Sequence, residues 1–198
     1  IKYVEISGVS LDGFLKTDSL PAANRLVKDL GLTPVCSTTW DAGRAFGTIG
    51  GQLRHGGVGV EITTYRTEEY VDHSRKPAVT FGDSLEEDLS RRDFTINAMA
   101  ISLNSATYGE MLDPFNGLHD IERKLIKTPT DPDVTYSDDP LRMMRAVRFA
   151  TQLGYEIETN SFDAIKRNAE RIKIVSMERI IDEMNKIILT GVPSVGFK

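Results

Sequence analysis

"DDPLRMMRAVRF", Asp138 to Phe149, is the stretch on which the reading of this chain turns. Arg142, Arg145 and Arg148 recur every third residue behind the adjacent Asp138 and Asp139. As a helix, Asp139 and the three arginines advance by about 300° per step and form one slanting ridge. Leu141, Met144 and Val147 step in parallel and are expected to face a core. The two aspartates stand at the helix N-terminus, where negative charge is favoured. Taken alone, the pattern also suits a capped surface helix with solvated arginines. No acid is interleaved among the arginines, however. Closely spaced guanidiniums repel one another unless an anion lies between them, and a triphosphate is such an anion.

Outward from this stretch the chain changes character. From about Ser137 onward only helices are convincing: 138–153, 161–170 and 176–189, the last with Ser176 as its cap and Glu178 in its first turn. Before about residue 130 the signals are mixed. "KYVEI" and "TPVCST" read as short strands, and "SLPAANRLVKDLG" as a helix with Pro21 in its first turn. "AFGTIGGQL" and "GVGVEITTYR" read as a hairpin in which Glu61 faces away from Val60 and Ile62. "GDSLEEDLSRRDFTINAMAISL" reads as a helix or broken helix opened by a Ser84/Glu87 capping box. "YGEMLDPFNGLHDIERKLIKT" reads as strand, turn, short helix and strand. The expected class is α+β: a mixed sheet with helices over residues 1–130, then an all-helical segment over 131–198.

Composition narrows the function classes. With 27% charged and 40% hydrophobic residues, the 198-residue chain has the make-up of a water-soluble globular protein. No apolar run approaches the roughly 20 residues that span a bilayer, so no membrane partner is expected. Cys36 is the single cysteine, which excludes an internal disulfide framework and fits a reducing cytoplasm. It forms no metal-ligand spacing with His55, His73 or His119. The net charge of −5 means that any polyanion must be met by a local patch.

Three further groupings carry chemistry. In "RRDFTINAMA", Arg91 and Arg92 can fork onto phosphate, while Asp93 and Asn97, four residues apart on one helical face, can bond a sugar or base. A salt-bridged local helix is the plainer alternative. In "LDPFNGLHD", Asp113, Pro114 and Gly117 suit a structural turn. In "VEITTYR", Glu61 can project from a strand as a Mg2+ ligand or simply face solvent.

In this order, "RRDFTINAMA", "LDPFNGLHDIERKLIKT", "DDPLRMMRAVRFATQLGY" and "RIKIVSMERIIDEMNKII" resemble the class II family of CCA-adding tRNA nucleotidyltransferases and bacterial poly(A) polymerases. "FGTIG" and "VEITTYRTEEYVDHSRKP" also look like that family, so the likeness runs from about Pro21 to the C-terminus. The resemblance implies a polymerase-β-like head and a helical neck. It implies Mg2+-dependent addition of C, C and A to the tRNA 3′ end from CTP and ATP, without a nucleic-acid template. Carried over residue by residue, Arg92 binds phosphate, and Asp93 and Asn97 lie near the ribose. Asp139 and Arg142 present an acceptor and a donor to the incoming base, and Arg145 and Arg148 contact the nucleotide.

The family's first motif, Gly-Gly-x-Val-Arg-Asp followed by Asp-x-Asp, is not matched by "ISGVSLDGFLKTDSLP". Asp12 is the candidate for one metal-binding aspartate, Ser10 stands where the other could be, and Glu61 is the second catalytic carboxylate. "GGQLRH", Gly50 to His55, looks like the glycine loop but falls where a hairpin is expected. The sequence ends at "PSVGFK", short of the body and tail helices with which the family holds tRNA. The alternatives are an impaired fragment serving as a nucleotide- or RNA-binding module, or a poly(A) polymerase of the same family.

Overall fold

The computed structural model describes residues 3–7, 36–40, 48–53, 59–63, 65–69, 78–81, 84–104 and 106–197. Asp12 and the helix expected in "SLPAANRLVKDLG" lie outside the described residues. The chain divides into two compact units, Ile1–Thr67 with Val79–Glu87, and Glu68–Ala78 with Asp88–Lys198.

The first unit carries a four-stranded mixed sheet in the order β1-β4-β3-β2. Its strands are β1 (Tyr3–Ser7), β2 (Cys36–Trp40), β3 (Thr48–Leu53) and β4 (Gly59–Thr63). β1 runs parallel to β4, and the other two pairings are antiparallel. The β3–β4 register sets Gly50 opposite Glu61 and Gly51 opposite Val60. Gly50 to Leu53 therefore lie in one arm of a strand pair, as their position between two alternating runs implied. On the other side of β4, Glu61 pairs with Glu5 of β1. β5 (Arg66–Glu69) and β6 (Ala78–Phe81) form a separate two-stranded sheet.

Helix α1 (Leu85–Ser90) opens where Glu87 N–H donates to Ser84 Oγ at 3.2 Å. The helical pattern then breaks into a 3-10 turn (Thr95–Asn97) and β7 (Ala100–Ile101), which pairs with β8 (Met111–Leu112). The second unit continues through α2 (Gly117–Glu122), β9 (Leu125–Ile126), α3 (Pro132–Asp138) and α4 (Leu141–Leu153). β10 (Glu156–Ile157), α5 (Thr159–Asn168), a 3-10 turn (Ala169–Ile174) and α6 (Met177–Ile188) follow. β10 returns to pair in parallel with β9, anchoring the far end of α4. Gly154 makes that return possible: its φ of 66 is the left-handed cap that ends α4. No helix among the described residues is long and apolar enough to cross a membrane.

β10 is a strand inside the segment expected to be all helix, and three further local details depart from the sequence expectation. First, α3 is an additional helix. Asp131 caps it by accepting from the N–H groups of Asp133 and Val134, with Pro132 in the first turn, so "DPDV" carried a start signal. Second, α4 begins at Leu141 rather than Asp138. Asp138 closes α3, and Asp139 is extended at φ −130, ψ 96, because the residue before Pro140 is kept out of the helical region. Third, Leu141 is buried as expected, but the core face of α4 continues through Met143, Ala146 and Ala150 rather than Met144 and Val147. These three pack with Phe94, Ile126, Tyr136 and Ala164, the small alanines leaving room for the two aromatic rings. Ser176 does occupy the N-cap position of α6, but its side chain makes no cap bond.

Candidate functional site

The arginine ridge of α4 docks onto the segment around "RRDFTIN", some fifty residues earlier. Arg145 donates through Nε and Nη2 to Oδ2 of Asp93, at 2.8 and 2.5 Å. The other Asp93 oxygen accepts from Phe94 N–H at 2.9 Å and from Asn97 Nδ2 at 3.0 Å. Asp93 and Asn97 thus share a face across the 3-10 turn, as their spacing implied. With its side chain only 9% exposed, Asp93 has both oxygens engaged by four donors. Arg142 Nη2 donates to the carbonyl of Arg91 at 2.6 Å. Arg91 and Arg92 in turn reach Asp88, which is fully buried.

Arg148 turns the other way. Its Nε donates to Glu183 Oε2 at 2.5 Å, and its Nη1 to Gln152 at 2.9 Å. Glu183 also accepts from Lys186 at 2.8 Å. Burial pushes the Glu183 carboxyl up, but Lys186 and Arg148 together hold it below the ordinary carboxylate value. The Arg148 guanidinium lies 3.9 Å from the centre of the Phe149 ring, and the Phe149 ring meets Phe94 edge-on at 5.8 Å.

The repulsion expected within the ridge is therefore relieved by acids of this same chain. Asp93 lies 52 residues before Arg145, and Glu183 lies 35 after Arg148. Arg142 differs from its neighbours. Among the described residues it has no carboxylate partner, and it donates to a neutral carbonyl. A guanidinium has five donors, and Arg142 is the member of the ridge whose donors meet no acid among the described residues. Asp139 stands beside it at the head of α4, with Oδ1 accepting from Leu141 N–H at 3.2 Å. An acceptor and a donor that meets no acid among the described residues thus share one helix start.

"LDPFNGLHD" is a clamp that holds this arrangement. Asp113 accepts from the N–H groups of Gly117 and Leu118, at 2.6 and 2.9 Å, across a left-handed Asn116. The buried Asp120 accepts from the buried Thr95 hydroxyl at 2.7 Å, and Thr95 N–H donates to the Lys127 carbonyl at 2.8 Å. Gly117 passes so close that a Cβ there would lie 2.3 Å from the Thr95 carbonyl oxygen. Gly117→Ala should therefore cost about 1–3 kcal/mol through forced displacement of the 3-10 turn. A urea-unfolding midpoint equal to that of the parent would contradict this close packing.

Among the described residues, no group of three His, Cys, Asp or Glu side chains could hold a metal ion. Glu61 is half-buried on β4, and its expected companion Asp12 lies outside the described residues. Besides the predicted residues, the network recruits Asp88, Arg179 and Glu183. Asp88 meets Arg91 and Arg92 at the local spacing visible in "SLEEDLSRR", whereas "MERIIDEMNK" does not disclose that Arg179 and Glu183 face the distant Asp139 and Arg148.

Comparison with known proteins adds the following. Residues 31–127 match the family model described as the poly A polymerase head domain. Residues 154–198 match the model described as the probable RNA and SrmB-binding site of polymerase A. The CCA-adding enzyme of Limosilactobacillus reuteri (strain DSM 20016) is 44% identical over 161 residues, which is 81% of this chain and 38% of that enzyme. The crystal structure of the Bacillus stearothermophilus CCA-adding enzyme in complex with CTP superposes with a TM-score of 0.69. It is 36% identical, over 83% of this chain and 38% of that one. A tRNA nucleotidyltransferase complexed with a primer tRNA and an incoming ATP analog gives 0.65 at 30% identity, over 91% of this chain and 48% of that one. The chain thus spans 38–48% of the length of these relatives.

Proposed function

Since this chain belongs to the class II family of CCA-adding enzymes and poly(A) polymerases, which are nucleotidyltransferases with a polymerase-β-like head, we propose that it provides the nucleotide-selecting part of a cytoplasmic enzyme that builds or repairs the 3′-CCA end of tRNA. In this reading the head runs to about residue 130 and the neck lies beyond it. CTP and ATP are the substrates, and the tRNA 3′ end is the acceptor.

The observation that carries the proposal is Arg142, with no carboxylate partner among the described residues, beside the acceptor Asp139. C and A both carry an exocyclic amine, which a carboxylate can accept, and ring acceptors, which a guanidinium can meet. U and G oppose the carboxylate with a carbonyl or misplace the donor. Arg92, Asp93 and Asn97 form the adjoining wall for phosphate and ribose. Arg145 holds Asp93, and Arg148 acts at one remove by seating α4. Asp12 and Glu61 are the residues that would hold Mg2+, which activates the attacking 3′-hydroxyl and neutralises the departing pyrophosphate when bound.

The test is incubation with Mg2+, labelled CTP or ATP, and tRNA lacking its CCA end. Incorporation of both nucleotides supports the proposal. Binding without incorporation points to a non-catalytic module, and incorporation of A alone points to the poly(A) branch of the family. Arg142→Ala is expected to narrow the preference for CTP and ATP over UTP and GTP by about tenfold, the equivalent of one lost buried polar pairing. Undiminished preference in that variant would remove Arg142 from base selection.

A further inference from the structure

The corner between α3 and α4 is pinned by two arginines from the C-terminal part of the chain. Arg171, in the 3-10 turn Ala169–Ile174, donates through Nε and Nη2 to the Ser137 carbonyl at 3.2 and 2.8 Å. That carbonyl belongs to the end of α3, just before Asp138. Arg179, in the first turn of α6, brings Nη2 to 3.8 Å from Asp139 Oδ2. We propose that Arg179 is a positioning residue for base selection: it fixes and partly neutralises the Asp139 carboxylate while leaving that oxygen open to a nucleobase amine. The proposal rests on the reading of Asp139 as a base-reading group.

Three observations support it. The first is the division of labour between the Asp139 oxygens. Oδ1 is committed to Leu141 N–H, so the carboxylate plane is fixed and Oδ2 is the oxygen available to a ligand. Arg179 faces that oxygen from beyond hydrogen-bond range, so it exerts a field without filling the acceptor. The second is the placement of Arg179 itself. A cation in the first turn of a helix opposes the positive end of the helix dipole. Asp139 supplies the counter-charge that makes the position tolerable. The third is register along α6. Arg179 and Glu183 are four residues apart on one face, so the turn that presents Arg179 to Asp139 also delivers Glu183 to Arg148. α6 thereby braces both ends of the α4 ridge.

A cation at this point has a clear use. Asp138 and Asp139 are consecutive carboxylates next to a site that must accept a triphosphate. Arg179 offsets that repulsion without competing for the base. The segment matched to an RNA-binding model would then contribute directly to nucleotide choice.

The test compares competition by unlabelled CTP and UTP against a fluorescent CTP analogue, using the 198-residue chain and its Arg179→Gln, Arg179→Lys and Asp139→Asn variants. Thermal melts confirm folding of each. Arg179→Gln is expected to lower the CTP-over-UTP preference by about tenfold, and Arg179→Lys to keep most of it. Asp139→Asn presents an amide donor and should shift preference toward UTP. If Arg179→Gln weakens both nucleotides in equal proportion, Arg179 merely balances charge and the inference fails. If Arg179→Gln leaves preference intact while Asp139→Asn alters it, the inference fails and the role of Asp139 stands. If neither variant changes preference, the role of Asp139 falls and the inference with it.

Discussion

Asp93→Ala is expected to lose about 3–5 kcal/mol of stability and all measurable nucleotide binding. The side chain is nearly buried and accepts from Phe94 N–H, Asn97 and both engaged nitrogens of Arg145. Its removal strands the Arg145 guanidinium against the 3-10 turn and leaves a backbone donor unmet, the costly case for a partly buried ion pair. Asp93→Asn should fare little better. Its amide can keep the bonds to Phe94 and Asn97, but it turns an NH2 toward the two Arg145 donors. Against a net stability of about 5–15 kcal/mol for a folded domain, either change is large. Urea unfolding should show a lowered midpoint with the slope retained. A midpoint within experimental error of the parent would mean that Asp93 does not join α4 to the earlier segment.

Glu183→Gln is the second large effect, again about 3–5 kcal/mol. The Glu183 side chain is 4% exposed and bridges Arg148 of α4 to Lys186 of its own helix. A neutral amide leaves Arg148 buried with only dipoles around it. The change also carries a signature in pH. Because the carboxyl is held below its ordinary value of 4.5, the folded state binds its proton less readily than the unfolded chain does. Its contribution is therefore complete above pH 4.5 and is lost as pH falls through the lower folded value. The parent should lose stability along this acid limb more steeply than Glu183→Gln. Parallel pH profiles for the two proteins would show that the Glu183 charge does not stabilise the fold. The same variant should also loosen base selection, because Arg179 rides on the same face of α6.

Much of the element order was legible from local pattern. Alternation marked the β3–β4 pair, and the glycines of "GGQLRH" fell within it. Ser84 and Glu87 announced the start of α1. Asp93 and Asn97 were correctly placed on one face. The start of α4 was less legible. Its hydrophobic and charged periods both extend back to Asp138, while the steric effect of Pro140 on Asp139 overrides them at one residue. The core face of α4 was legible only at Leu141. Met143 and Ala146 rather than Met144 and Val147 point inward, because burial follows from which neighbours are present and not from which residues are most apolar.

The sequence by itself determined the class, many of the strands and helices, the family likeness and the three arginines at one helical pitch. These follow from interactions within a few residues: backbone sterics, capping and the period of the apolar positions. The tertiary structure decided what each arginine does. Arg145 is paired with Asp93 and Arg148 with Glu183, while Arg142 donates to a neutral carbonyl, although their spacing treats all three alike. The physical reason is range. A charge is assigned a partner by distances of a few ångströms in space, and here those partners lie 35 to 52 residues away along the chain.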